Sequence, residues 1–280
     1  MSLALRQFRF ELIKLFARKR TWVGFGIFVA LELLIFLLCN YPPIFRDIQR
    51  NIARQGLLAA EYTGGVTIGF MVFMATSVLG IIFLSLVSGD IVAKEIEDGT
   101  MRMTLCRPVS RIRVLAVKYA ACVVHHCAFV FFVGLSILGV GVAWLGVGGF
   151  FLFVPEERIL AMFSPAEGLG RYLLALPFFC ISLLTATTLG FFFSCCNMKP
   201  VVATVMAIVV LLIDRILYEL PFFNQVKTWF MHYRLVKWSS VLKETIPWDR
   251  MLIDYVWLFA LNVTLFAIAT TIFCRRDFKS

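Results

Sequence analysis

Apolar residues dominate six stretches of this chain, at 22–39, 66–88, 114–145, 172–194, 200–218 and 252–274. Each is near the length a helix needs to cross ~30 Å of hydrocarbon at ~1.5 Å per residue. The pattern predicts an all-α integral membrane protein with six transmembrane helices in one domain over 1–280. The third stretch is too long for a simple span. Its glycines, Gly139, Gly141, Gly146, Gly148 and Gly149, predict that the chain bends or leaves the membrane before Leu145.

Two shorter patterns are amphipathic. Leu5, Phe8, Leu12, Leu15 and Phe16 recur at helical spacing, with Gln7, Glu11, Lys14 and Arg18 opposite, so segment 1–21 predicts a helix in the headgroup layer. The basic run Arg18-Lys19-Arg20 follows it. After the first span, Ile44, Phe45, Ile48 and Ile52 set against Arg46, Asp47, Arg50 and Arg54 predict a second interfacial helix. Segment 219–251 holds Leu220-Pro221-Phe222-Phe223, Trp229-Phe230, Trp238 and Trp248. It is too apolar for a free loop and is expected to dip into the outer leaflet or to cap the molecule, with an aromatic belt accounting for about half of it.

Composition narrows the class. Of 280 residues 61% are hydrophobic and 16% charged, against roughly 45–50% and 25% in soluble domains. That excludes a soluble globular chain, a disordered chain and a disulfide-stapled secreted domain. The net charge of +10 would suggest nucleic acid in a soluble protein. No predicted loop is large enough for a DNA-binding domain, so we expect no nucleic-acid partner and assign the excess to loops that meet anionic lipid. With both termini inside, the inner segments hold 15 Lys and Arg in 57 residues and the outer ones 10 in 85. The density ratio places both termini in the cytosol. The first 20 residues are too charged for a cleavable signal peptide. The eight cysteines lie in or beside apolar runs or, for Cys106, in a basic loop, and read as small fillers rather than disulfides.

Intramembrane polar residues are candidates for function. Glu32 lies deep in the first span and could face a water-filled path, bind a cation or hydrogen-bond a neighbouring helix. Asp214-Arg215 and Asp254 lie near span ends, where structural roles are cheaper. His125 and His126 point about 100° apart on a helix, so they cannot readily share an ion, and helix packing explains them better than metal. Cys195-Cys196-Asn197-Met198 offers soft ligands suited to Cu(I), but a reduced pair at a turn needs no metal. No metal site is expected.

The most distinctive segment is 95–111, Glu-Ile-Glu-Asp-Gly-Thr-Met-Arg-Met-Thr-Leu-Cys-Arg-Pro-Val-Ser-Arg, with Lys118 seven residues on. It reads as a short helix over 95–107 with charges of both signs, Asp98 and Arg102 forming an i,i+4 pair. Met101 and Leu105 give it an apolar stripe, Pro108 ends it, and Ser110 caps the third span. Such a helix is suited to docking a partner; a solvated loop is the plain alternative.

This acidic cluster, Gly99-Thr100, Leu105, Pro108-Val109-Ser110-Arg111 and Lys118 resemble the segment between spans two and three of bacterial ABC-2 type transporter permeases. The amphipathic start and the closing Arg275-Arg276-Asp277-Phe278 agree; Cys106 and Val117 depart mildly from the pattern. The resemblance implies an exporter fold of the ABC-2 (type V-like) class in a bacterial cytoplasmic membrane. It would be a homodimer, or a dimer with a related permease, with two separate cytosolic ABC ATPase subunits that bind ATP and Mg. Segment 1–21 would hold the elbow helix. Glu95, Glu97, Asp98, Gly99, Thr100, Met101, Arg102, Leu105, Pro108 and Arg111 would form the ATPase-coupling site. Segment 219–251 would be the re-entrant outer region, and the path would lie between spans two and five of the two copies. The chain itself would be no enzyme and hold no cofactor; it has no phosphate-cradling Gly-Lys loop. The rivals are a polytopic secondary transporter, for which the halves show no clear repeat, and an intramembrane enzyme using Glu32 or His125/His126. Neither rival accounts for 95–111.

Overall fold

The computed structural model describes residues 3–54, 62–106, 109–154 and 159–276. It is mostly helical. Helix α1 (Leu3–Phe16) lies ahead of α2 (Lys19–Cys39) and α3 (Pro42–Arg54). There follow α4 (Gly65–Glu97), the short α5 (Thr100–Leu105) and α6 (Arg111–Leu145). A two-stranded hairpin, β1 (Phe150–Val154) and β2 (Ile159–Phe163), leads to α7 (Pro165–Cys195) and α8 (Pro200–Glu219). Two 3-10 turns, Pro221–Trp229 and Lys237–Leu242, flank α9 (Met231–Leu235) before the last helix, α10 (Trp248–Arg275). Six helices, α2, α4, α6, α7, α8 and α10, are long and apolar enough to cross a membrane. They match the six apolar stretches in order.

Their ends differ from the sequence expectation. The second apolar stretch ends near Ser88, and α4 continues past it to Glu97, where the Asp98 cap and Gly99 at φ +72° end the helix. At 33 and 35 residues, α4 and α6 are about 50 Å long, well over the ~30 Å of hydrocarbon. No bend interrupts the secondary structure of α6 before Leu145. Of its glycines, Gly141 serves close approach: a Cβ on Gly65 of α4 would overlap the Gly141 carbonyl of α6. The helix stops at Gly146, where φ is +73°, a conformation that suits a residue without Cβ.

The bundle centres on α4 and α7. Gly190 sits where a Cβ would collide with Ser88, and Gly89 where it would meet Thr204 of α8. Ser194 Oγ accepts hydrogen bonds from the amides of Val92 (3.0 Å) and Ala93 (2.8 Å). A hydroxyl entering a helix ladder in this way is one cause of helix bending. The main core joins Phe28, Phe73, Phe129, Ile137, Tyr172 and Phe179, with edge-to-face contacts such as Phe73–Phe179 at 4.7 Å between centroids.

At the end opposite the chain termini, the distal end, the hairpin was not anticipated. Phe150 pairs with Phe163 and Val154 with Ile159, and Phe150, Leu152 and Val154 are buried. The all-α expectation therefore needs this antiparallel addition. Segment 219–251 divides into two parts. Its first turn is exposed, Phe222 at 87% and Trp229 at 80%, while Trp238, Val241 and Leu242 are buried against the bundle. The second part caps the molecule, held by Arg171, whose Nη1 donates to the carbonyls of Val241 and Lys243 (both 3.0 Å) and whose Nη2 donates to that of Glu244 (3.0 Å). Asp214 accepts from the amides of Met231 (3.0 Å) and His232 (2.6 Å), serving the open donors at the start of α9.

Two outcomes follow. Gly65→Val puts a side chain where backbone stands, so it should cost more than the ~1–3 kcal/mol of ordinary overpacking, read as a lower unfolding temperature in detergent. His232 is held neutral: burial, then the nearby Arg215, pushes its pKa down to about 4. The unfolded chain takes up this proton near pH 6.5, the folded one only near 4, so acidification through that window favours unfolding. The unfolding temperature should fall between pH 7 and pH 4.5, and less steeply in His232→Gln.

Candidate functional site

Segment 95–111 is not one helix. Glu95, Ile96 and Glu97 are the last turn of α4, Asp98 is its C-cap, and Gly99 takes φ +72° before α5 starts at Thr100. This is a glycine-terminated helix end, with the amides of Asp98 and Gly99 donating to the carbonyls of Lys94 (2.8 Å) and Ile96 (3.1 Å). The Thr100 hydroxyl donates to the Glu95 carbonyl (3.3 Å). The turn corrects the expected 95–107 helix and separates Asp98 from Arg102, which lie on different elements. Met101 also departs from expectation. It is 1% exposed and packs inward with Leu15, Ile91 and Leu115, with Leu105 against the same cluster. The exposed residues of the site are Glu97, Asp98, Gly99, Arg102 and Met103, with Thr100 half-buried. Pro108 lies outside the described residues.

Beneath this turn is a buried charge cluster. Lys118 of α6 has no exposed side-chain surface, and Glu95 only 4%. Lys118 Nζ donates to Glu95 Oε1 (2.7 Å) and to Glu11 Oε2 of α1 (2.9 Å). Lys14 of α1 also donates to Glu95 Oε1. Two cations and two anions thus close a formally neutral group across α1, α4 and α6. The face of α1 carrying Glu11 and Lys14 is therefore partly turned into the protein, not wholly toward solvent, while Leu5, Phe10 and Ile13 are exposed.

Arg111 sits at the first turn of α6, behind the Ser110 cap, whose Oγ accepts from the Arg113 amide (3.3 Å). Its Nη1 donates to the carbonyls of Cys274 (2.9 Å) and Arg276 (2.7 Å), satisfying open groups at the end of α10. Arg276 in turn reaches Asn197. These contacts bring both chain ends, the 95–111 segment and the α7–α8 turn to one end of the bundle, the terminal end. Of the closing motif, Asp277 and Phe278 lie outside the described residues.

The other candidates are more isolated. Glu32 is 1% exposed, and its Oε2 accepts from Ser136 of α6 (2.9 Å), while Oε1 has no partner among the described residues. Both His126 ring nitrogens are engaged, with Thr187 Oγ1 and the Cys180 carbonyl, each at 2.8 Å. His125 lies among Phe16, Phe25 and Phe83. No group of three or more His, Cys, Asp or Glu residues is placed to hold a metal ion among the described residues.

Among the open spaces, one of about 380 Å³ lies beside the turn, lined by Gln7, Phe10, Glu11, Thr100 and Met103 among others. A cleft of about 270 Å³ at the distal half is lined by Met74, Ile81, Leu183, Leu211, Arg215 and His232 among others. Another, of about 480 Å³ at the terminal end, is lined by Lys14, Arg18, Lys19, Lys94, Glu95, Asp98 and Thr100. The signal for the charge cluster was present in Lys118, a lone cation early in an apolar stretch, but its partners lie 23 and 107 positions away. Comparison with family models and with curated proteins gives no match.

Removing one partner of a buried pair strands the other, at about 3–5 kcal/mol. Lys118→Met should therefore strongly destabilise the protein. Adding Glu95→Gln and Glu11→Gln should restore a good part of the loss, read as unfolding temperature in detergent across the mutant series.

Proposed function

We propose that the chain is the membrane permease subunit of an ABC-2 type exporter, dimeric and driven by two separate ATPase subunits. The observation that supports this best is the exposed Glu97-Asp98-Gly99 turn with Arg102 and Met103, seated on the buried Glu95–Lys118–Glu11 cluster. A force on the turn meets a group that ties three elements together rather than a free loop. Within this reading the exposed residues contact the ATPase, whereas Glu95, Met101, Lys118 and Arg111 are positioning residues that carry its displacement into α4, α6 and α10.

A dimer also agrees with the outer faces of the bundle. Helix α8 is the least buried of the six and shows Val201, Val205, Leu212 and Ile216 on its surface. Under this proposal it forms, with α4, the seam along which substrate passes. The terminal end faces the bacterial cytosol, as the density of Lys and Arg suggests.

Purification of the tagged chain in mild detergent from its native host, with mass spectrometry of what accompanies it, tests the proposal. A near-stoichiometric P-loop ATPase is expected. Glu97→Lys should release it at least tenfold while leaving the chain inserted and folded. A chain that purifies alone, or a Glu97→Lys protein with normal ATPase and transport, would overturn the assignment.

A further inference from the structure

The cavity of about 480 Å³ at the terminal end is not explained by coupling to an ATPase. Four cationic side chains line it, Lys14 and Arg18 from α1 and the link after it, Lys19 from the start of α2, and Lys94 from α4. Its acidic lining is Glu95 and Asp98. Glu95 is already spent on Lys118 and Lys14, so the open part of the cavity is left with Arg18, Lys19 and Lys94 against Asp98.

A second feature points the same way. Helix α2, 21 residues long, begins at Lys19 with Arg18 as N-cap, no side chain bonded to its first amides and no acidic residue in its first turn. The positive end of a helix therefore opens beside the cationic lining, an arrangement that favours a negative group. Depth is the third consideration. One turn into α2, Trp22 is 63% exposed and Val23 57%, and on α1 Phe10 is 70% and Ile13 53% exposed. The Trp22 indole donates to the Phe16 carbonyl (2.8 Å). Exposed apolar residues with an indole at their edge mark the boundary between acyl chains and headgroups. Lys14, Arg18 and Lys19 of the cavity lining adjoin these residues along α1 and α2, which puts the cavity at the level of that boundary.

We propose that this cavity is a binding site for the phosphate headgroup of an anionic membrane lipid, with the acyl chains lying along the exposed Trp22 and Val23 face of α2. Arg18, Lys19 and Lys94 hold the phosphate, the α2 amides add the helix dipole, and a bound lipid joins the α1–α2 corner to the end of α4. The cavity shares Asp98 and Thr100 with the turn proposed to meet the ATPase, but its three phosphate-holding residues lie outside that turn, and the proposal needs only that the chain sit in a membrane.

The full-length chain in detergent is titrated with phosphatidylglycerol and, separately, phosphatidylcholine, with native mass spectrometry counting bound lipid. Phosphatidylglycerol should bind at least ~10-fold more tightly, a modest expectation for three basic side chains at a membrane surface. Arg18→Gln/Lys19→Gln/Lys94→Gln should lose that preference, whereas Arg113→Gln, on the same end but outside the cavity, should keep it. Lys14 is left in place because it bonds Glu95. Should the triple variant not fold, Lys19→Glu alone, at an exposed position, should abolish the preference. Equal affinity for the two lipids, or an unchanged preference in a folded variant, overturns the proposal. So does displacement of the lipid by inorganic phosphate at equal concentration, which would make the ligand a soluble anion. Loss of a co-purifying protein with lipid preference intact would give the cavity to that protein instead.

Discussion

A lysine with no exposed side-chain surface sets the terms for one end of this molecule. Burying an unpaired ammonium costs several kcal/mol even after relaxation, so Lys118 requires carboxylates within hydrogen-bonding reach. Glu95 and Glu11 meet that need, and each brings its own element with it. Glu95 fixes where α4 must end relative to α6. Glu11 draws the polar face of α1 against the bundle, and Lys14 balances the charge by returning to Glu95. The position of the amphipathic helix is thereby specified by ion pairing as well as by the pull of the headgroup layer on Leu5, Phe10 and Ile13.

The same end shows a general solution to helix termini. Arg111 serves the last carbonyls of α10, Ser110 an amide of α6, Thr100 a carbonyl of α4. The distal end repeats it with Arg171 on the cap and Asp214 on α9. Each device satisfies groups that a helix leaves open; Ser110 and Thr100 act locally, whereas Arg111, Arg171 and Asp214 reach across the chain. Between the two ends, association relies on small residues rather than ions: Gly65 on Gly141, Gly89 on Thr204, Gly190 on Ser88. That division suits a medium in which apolar side chains gain little by meeting one another and close backbone approach becomes the source of packing.

How much of this could be read from the sequence depends on the range of each signal. The six long helices were legible because hydropathy is local and cumulative. The α1 and α3 helices were legible because amphipathic spacing is local too. Helix ends were less so: Asp90, Lys94 and Glu95 end the apolar stretch, yet α4 runs on through them to the left-handed Gly99, with Glu95 paired to Lys118 and Lys14. Gly139 and Gly141 look like helix breakers, whereas Gly141 is there for Gly65. The hairpin was missed because Phe150–Val154 is buried at four of five positions and so shows no alternation. In the candidate site, Glu97, Asp98 and Arg102 are exposed, but the turn at Gly99 puts Arg102 on a different helix from the other two. The inward turn of Met101 and the structural duty of Arg111 depend on contacts with α1, α4 and α10 that no local pattern encodes.

The division between exposed and buried members of the 95–111 segment bears on how such a segment could act. A solvated loop pushed by a partner would yield, absorbing displacement in its own torsions. Here compliance is restricted at both ends of the turn. On one side Glu95 is held by two lysines, and on the other Met101 is wedged among Leu15, Ile91 and Leu115. Gly99 alone adopts a left-handed conformation between them. Displacement of the turn must therefore move α4 and α5 together, or break a buried ion pair at a cost of several kcal/mol. Moving α4 engages α7 and α8 through the glycine contacts, since those surfaces leave no slack for sliding. The turn is thus a stiff, charge-anchored part of the terminal end rather than a free loop.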